Sequence, residues 1–256
     1  MTITIEQIKN LRDKTGVSTT QVKKALEEAG GDEEKAIELL RKKGAAKAAA
    51  REGVAGEGVV AIAVSPDNTK AAIIKLNSET DFVAKNQDFV DGAQAIAQKF
   101  LEGGLDADVS AELEDLATKM AEKIELNDKE IVEGAVVGAY VHSNNKIGAV
   151  TVMTGGNIDT GKDVSMHISA SQPRNLSPEE VDQALVDKEI EIWTEQLKAE
   201  GKPENIMEKI MEGKIKKFRE ENALISQPFV KSPDMTVGQL VANEGAEITK
   251  FVCYAI

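Results

Sequence analysis

Cysteine is nearly missing from this sequence of 256 residues. Cys253 stands alone, so no intramolecular disulfide can form, and a reducing compartment is expected. Histidine is almost as scarce: His142 and His167 are the pair, no spacing suits a zinc site, and neither metal nor cofactor is expected. No Gly-x-Ser-x-Gly elbow marks a hydrolase nucleophile. Aromatic residues make up only 4%, so the cores must be built from Ala, Val, Ile and Leu. No uninterrupted apolar run is long enough for a membrane helix. The opening Met1–Glu6 lacks the basic-then-apolar pattern of a signal peptide, and cytoplasm is the expected location. Positive charge is short as well: 31 Lys and Arg against 44 Asp and Glu leave a net charge of -13. Phosphate binding needs clustered cations, so nucleic acid is not expected as a direct partner.

What remains is an ordinary globular composition, 41% hydrophobic, arranged in segments of clear period. The first reads as three short helices. Thr4 with Gln7, and Ser18 with Gln21, make N-terminal capping patterns; Gly16 and Gly30-Gly31 break the chain; Asp32 opens a third helix ending at Gly44. Residues 45–58, rich in Ala and Gly, read as a linker that lets this small module move. An internal echo follows. Strand Val59–Val64, turn Ser65–Asn68 and return strand Ala71–Asn77 precede helices near 86–101 and 111–124. Strand Val136–Val141, turn Ser143–Asn145 and strand Ile147–Met153 then precede a helix over Val164–Ala170. Two hairpin-then-helix copies imply two α+β subdomains, over 59–134 and 135–256. Inserted at about 179–222 are two charged helical stretches separated by Gly201-Lys202-Pro203. Thin stripes, Val181, Leu185 and Ile192 on one and Met207, Met211, Ile215 and Phe218 on the other, fit an antiparallel helical hairpin; two ordinary surface helices are the alternative. Ile248–Ile256 reads as a last strand completing the second sheet.

Two segments invite a chemical reading. Gly156-Asn157-Ile158-Asp159-Thr160-Gly161-Lys162-Asp163 nearly matches a phosphate-binding loop, following a strand and preceding a helix. But Asp163 replaces the hydroxyl that would hold Mg²⁺, and Asp159 and Asp163 put carboxylates where phosphates would sit. A turn satisfied by its own Asn, Asp and Gly is the simpler account. The second segment is Thr80-Asp81-Phe82-Val83, between a strand end and a helix start. Spacing alone favours Phe82 as a core residue. The alternative is an aromatic anchor displayed for a partner's pocket.

Thr80-Asp81-Phe82-Val83-Ala84-Lys85-Asn86 resembles the signature of bacterial elongation factor Ts. So do Leu11-Arg12-Asp13-Lys14-Thr15-Gly16, Lys23-Lys24-Ala25-Leu26 and Gly31-Asp32, and then Tyr140-Val141-His142 with Ile147-Gly148. The likeness continues through Gly201-Lys202-Pro203, Lys216-Lys217-Phe218, Gln227-Pro228-Phe229-Val230 and Thr236-Val237-Gly238-Gln239-Leu240. The matches run in order along nearly the whole chain, which is more specific than any one motif.

The resemblance implies an α+β fold: a three-helix, UBA-like module over 1–44, a two-subdomain core with small antiparallel sheets, and an inserted helical hairpin (coiled coil). It implies a guanine-nucleotide exchange factor, not an enzyme with its own hydrolytic site, whose partner is elongation factor Tu. Asp81 and Phe82, flanked by Thr80 and Val83, would wedge between two helices of that partner and dislodge its Mg²⁺. His142 would pack against the same domain, Arg12 and Lys23 would touch the partner from the helical module, and Val230 would touch it near the hairpin's return. A homodimer of the complex is a further expectation of the resemblance; a membrane partner is not.

Overall fold

A computed structural model describes residues 3–49, 54–201 and 203–256. The chain opens with α1 (Ile5–Thr15), α2 (Thr19–Glu28) and α3 (Glu33–Ala49). Thr4 Oγ accepts the Gln7 N–H at 3.1 Å while the Gln7 side-chain oxygen Oε1 accepts the Thr4 N–H at 3.0 Å, so the cap is reciprocal. Gly16, at φ +67°, ends α1 in the left-handed region that glycine enters without a Cβ clash. Leu11, Val22, Leu26, Ala36 and Leu40 form the small core between these helices.

Gly44 does not end the third helix as expected. It lies inside α3, where a Cβ would come within 2.1 Å of Thr118 Oγ. Its missing side chain lets α3 lie directly on the second helix of the next subdomain, and Arg41 donates to the Ala111 carbonyl oxygen across the same seam at 3.1 Å. The helix therefore runs on through the first five residues of the expected linker, to Ala49, and the module is docked rather than loosely tethered. Residues 50–53 of that linker, like Lys202 of the hairpin turn, lie outside the described residues.

β1 (Glu57–Val64) and β2 (Lys70–Ser78) pair antiparallel, followed by the single turn α4 (Asp81–Ala84), α5 (Gln87–Gly103) and α6 (Ser110–Met120). A third strand, β3 (Glu125–Glu133), then pairs with β2, giving the order β1-β2-β3. The sequence pattern does not announce it, because its charged residues hide its period: an edge strand tolerates them, and they discourage edge-to-edge pairing. The second subdomain repeats the plan with β4 (Val136–Val141), β5 (Ile147–Met153) and α7 (Ile158–Ser171). After α8 (Gln183–Ala199) and α9 (Glu204–Glu221) come the short hairpin β6 (Pro228–Phe229) and β7 (Ser232–Thr236), α10 (Val237–Ala242) and β8 (Ile248–Ala255). β8 pairs with β5, as expected, for the order β4-β5-β8.

Strand alternation sorts side chains into layers. Val60, Ile62, Ala71 and Ile73 face Val137, Val150, Val152 and Val252 of the second sheet. The opposite faces are covered by helices. Val59, Ala61, Ile74 and Leu76 meet Phe89, Ile96 and Phe100 of α5, while Ala149 and Met153 meet Val164 and Ile168 of α7. The result is four layers, helix–sheet–sheet–helix, and it explains the continuous apolar runs of β1, β2 and β5, which are buried on both faces. Each fully buried Phe or Ile contributes about 1.5–3 kcal/mol by leaving water.

α8 and α9 form an antiparallel hairpin whose inner contacts include Trp193 edge-on to Phe218, with ring centroids 5.8 Å apart. The stripe on α8 is offset from the expected one. Leu185 and Ile192 are 37% and 48% exposed, while Val186 and Leu197 are buried, with Ile190 and Trp193 half-buried between them. Arg219 closes the base of the hairpin by donating to the carbonyl oxygens of Pro178 and Val181 and to the Gln183 side chain.

Candidate functional site

The turn at Thr80–Val83 is built by successive caps. β2 ends on the buried Ser78, whose hydroxyl donates to the Thr80 carbonyl oxygen at 3.1 Å. Thr80 caps α4, its Oγ accepting the Val83 N–H. Asn86 then caps α5, its side chain accepting the Asp88 N–H at 2.9 Å. Glu122 holds Thr80 from the other side. Its carboxylate accepts both the Thr80 N–H at 3.1 Å and the Thr80 hydroxyl at 2.6 Å. It gets there because Ala121, at φ +54°, turns the chain sharply at the end of α6.

Within that single turn the side chains divide. Val83 and Ala84 are buried in the core beneath α5. Phe82 points the other way and is 82% exposed. The core placement that spacing favours for Phe82 is therefore wrong: the adjacent Val83 and Ala84 fill the inward positions, and one turn of helix cannot face three consecutive side chains inward. Asp81 pairs with Lys85 at 2.6 Å, and this hydrogen bond holds its carboxyl below the usual range, with a smaller contribution from Lys146.

Lys146 joins this turn to a groove on the second subdomain. Its ammonium pairs with Glu57 of β1 at 2.5 Å, and its side chain lines the groove together with Tyr140, His142, Met166, Val230 and Ile256. His142 is exposed beside Tyr140, whose hydroxyl lies 3.1 Å from His142 Nδ1. Val230, 50% exposed, occupies the two-residue turn between β6 and β7. Thus His142 and Val230 share one groove, and Lys146, at its edge, adds to the field at Asp81 of the turn. Arg12 and Lys23 are not part of this group; they sit on the helical module, paired with Asp13 and Glu27 respectively. The Asp81–Lys85 pair was legible as an i,i+4 spacing. Glu122 and Lys146 carried no such signal, because only the fold brings them to the turn and the groove.

The segment that imitates a phosphate loop has another occupant. Asn157 caps α7 by accepting the Asp159 N–H, and Glu244, after α10, braces that start: its carboxylate accepts the Asn157 N–H at 2.7 Å and the Thr160 hydroxyl at 2.6 Å. Those bonds, the backbone one foremost, hold the Glu244 carboxyl below its usual range. The anion-favouring helix start is thus filled by a side chain of the protein itself.

The sequence profile of the family described as Elongation factor TS matches residues 79–256, more than half of the chain. The chain belongs to the elongation factor Ts family. Relatives carrying the name elongation factor Ts extend the match over the helical module. The protein from Marinobacter nauticus is 44% identical over 98% of this chain and 89% of its own length. That from Thioalkalivibrio sulfidiphilus is 42% identical over 100% and 92%. That from Pseudomonas aeruginosa is 43% identical over 99% and 91%. The elongation factor Ts profile begins at Glu79, so its first residues are the turn that displays Phe82.

Proposed function

We propose that this chain is a guanine-nucleotide exchange factor for elongation factor Tu, acting in the cytoplasm, and that the turn Thr80–Val83 dislodges the partner's Mg²⁺ and so releases GDP. Family membership supports the exchange role. The observation that carries the site is the exposure of Phe82 on a turn anchored from below by Val83 and from the side by Glu122. An aromatic ring displayed on an anchored turn is suited to fill a partner's pocket, where such side chains carry much of the binding energy.

The physical logic is linkage. A factor that binds the nucleotide-free partner more tightly than the nucleotide-bound one weakens nucleotide affinity by the same ratio. Phosphate and metal contacts are charge-assisted and sensitive to small displacements. Burying one Phe contributes about 1.5–3 kcal/mol, enough to offset such a displacement in part. His142 and Val230, at the linked groove, would hold the same partner, while Arg12 and Lys23 would touch it from the helical module. On this reading the hydrolytic chemistry belongs to the partner, and this chain supplies only a shaped surface.

The experiment is labelled-GDP release from elongation factor Tu, with and without this chain. Phe82→Ala is expected to slow stimulated release about tenfold or more while weakening overall docking less. Release at the unsubstituted rate would overturn the role given to Phe82. No stimulation by the original chain would overturn the function.

A further inference from the structure

His167 takes no part in the reading above, yet it is the most buried titratable side chain near the groove. It lies on α7, 3% exposed, beside the Phe229 ring at 6.0 Å. Its two nitrogens have different partners. Nδ1 lies 3.2 Å from the Val230 backbone nitrogen, and Nε2 lies 2.9 Å from the Gln227 side-chain oxygen Oε1. A backbone N–H can only donate, so Nδ1 must be the unprotonated acceptor. Nε2 then carries the proton and donates to Gln227. The rest of the network agrees with this tautomer. The Ser171 hydroxyl, with its one proton, lies 2.9 Å from both the Gln227 side-chain oxygen and the His167 backbone oxygen, and the Gln227 amide nitrogen donates to the Glu221 carbonyl oxygen at 3.0 Å.

Val230 sits at the tip of the β6–β7 turn, and this tip is fastened to α7 at two places. One is the imidazole. The other, a helical turn earlier, is Asp163, whose carboxylate pairs with Lys231 at 2.5 Å. A two-residue turn has few bonds of its own, so these tethers decide where its exposed side chain points.

We propose that His167 is a positioning residue: by accepting the Val230 N–H at Nδ1 while donating from Nε2 to Gln227, it fixes the exposed Val230 side chain at the rim of the groove shared with His142 and Lys146. The inference rests on the reading of that groove as partner-binding only for its functional consequence. The positioning itself is a property of this chain. Burial lowers the imidazole's pKa, which favours the neutral form the network requires. The charged groups on the packed elements are Asp163, already paired with Lys231, and Glu221, approached at its backbone; across the groove stand His142 and Lys146. Protonated, the ring would present a donor to the Val230 N–H, and the tether would be lost. With the folded pKa depressed, the tether is complete above about pH 6.5 and fails as pH falls through the lower folded value.

The test is hydrogen exchange of the Val230 amide in the full chain, together with GDP release from elongation factor Tu. His167→Phe keeps the ring but removes the acceptor; the Val230 amide is expected to exchange about tenfold faster and stimulated release to fall severalfold. His167→Asn places an amide oxygen near the Nδ1 position and is expected to restore both, which a merely space-filling role would not do. The wild-type amide is expected to lose protection on acidification below pH 6.5, and the Asn variant is not. Unchanged Val230 protection in His167→Phe, or a loss that His167→Asn does not repair, would overturn the inference. If protection behaves as expected while Val230→Ala leaves GDP release untouched, the positioning stands and the assignment of Val230 to the partner surface is what fails.

Discussion

The residue scale is governed by where a side chain is forbidden as much as by where one is needed. Gly138 on β4 faces Gly161 on α7, and a Cβ at 138 would fall 2.1 Å from the Gly161 carbonyl carbon. Backbone meets backbone there, so no rotamer change relieves the overlap. Gly138→Ala is expected to cost about 3 kcal/mol, seen as a lowered denaturant midpoint with an unchanged slope. A midpoint equal to that of the parent would show that β4 and α7 separate more easily than their packing implies. Phe82 is the opposite case, a large side chain that is 82% exposed. Its outward direction was not legible from sequence spacing, because a lone aromatic between a strand and a helix reads as core. The physical cause lies in its neighbours: Val83 and Ala84 had already taken the inward positions.

At the scale of elements, the hairpins were legible because their strands are apolar on both faces and end in turn residues, and the helix caps at Thr4 and Ser18 were legible because capping is local. What escaped depends on distance along the chain. β3 pairs with β2 through a charged sequence, and the α8 stripe shifts by one residue because Trp193, rather than Ile192, finds Phe218 across the hairpin. Glu244 belongs to the same class, since it reaches α7 from far along the sequence. Its bonds to Asn157 and Thr160 depress its folded pKa. That contribution is therefore complete above about pH 4.5 and lost as pH falls through the folded value. Glu244→Gln is expected to lower the midpoint at neutral pH and to flatten its acid dependence relative to the parent. A parallel pair of pH profiles would mean that the carboxylate's charge does not stabilise α7.

The whole molecule is a four-layer core carrying two attachments, the helical module and the α8–α9 hairpin. The module's seam with α6 closes only because Gly44 has no side chain. Gly44→Leu is expected to push the module off α6 without melting the layered core. Small-angle scattering would show a larger radius of gyration, while protection of the β2 amides stays intact. An unchanged radius would mean that Thr118 yields instead. The docked module also bears on the surface that carries the proposed function. Arg12 and Lys23 keep a fixed relation to the core as long as the seam holds, so the same variant separates a module that binds by itself from one that must be held in place.

Phe82 makes no packing contribution to the fold, while the residues on either side of it are fastened by Glu122 and by the core. Position 82 is therefore nearly independent of the core: polar, aliphatic and aromatic replacements there are expected to differ little in melting temperature. With the turn acting as proposed, a laboratory library confined to that site would search for new specificities without first having to be rescued for stability.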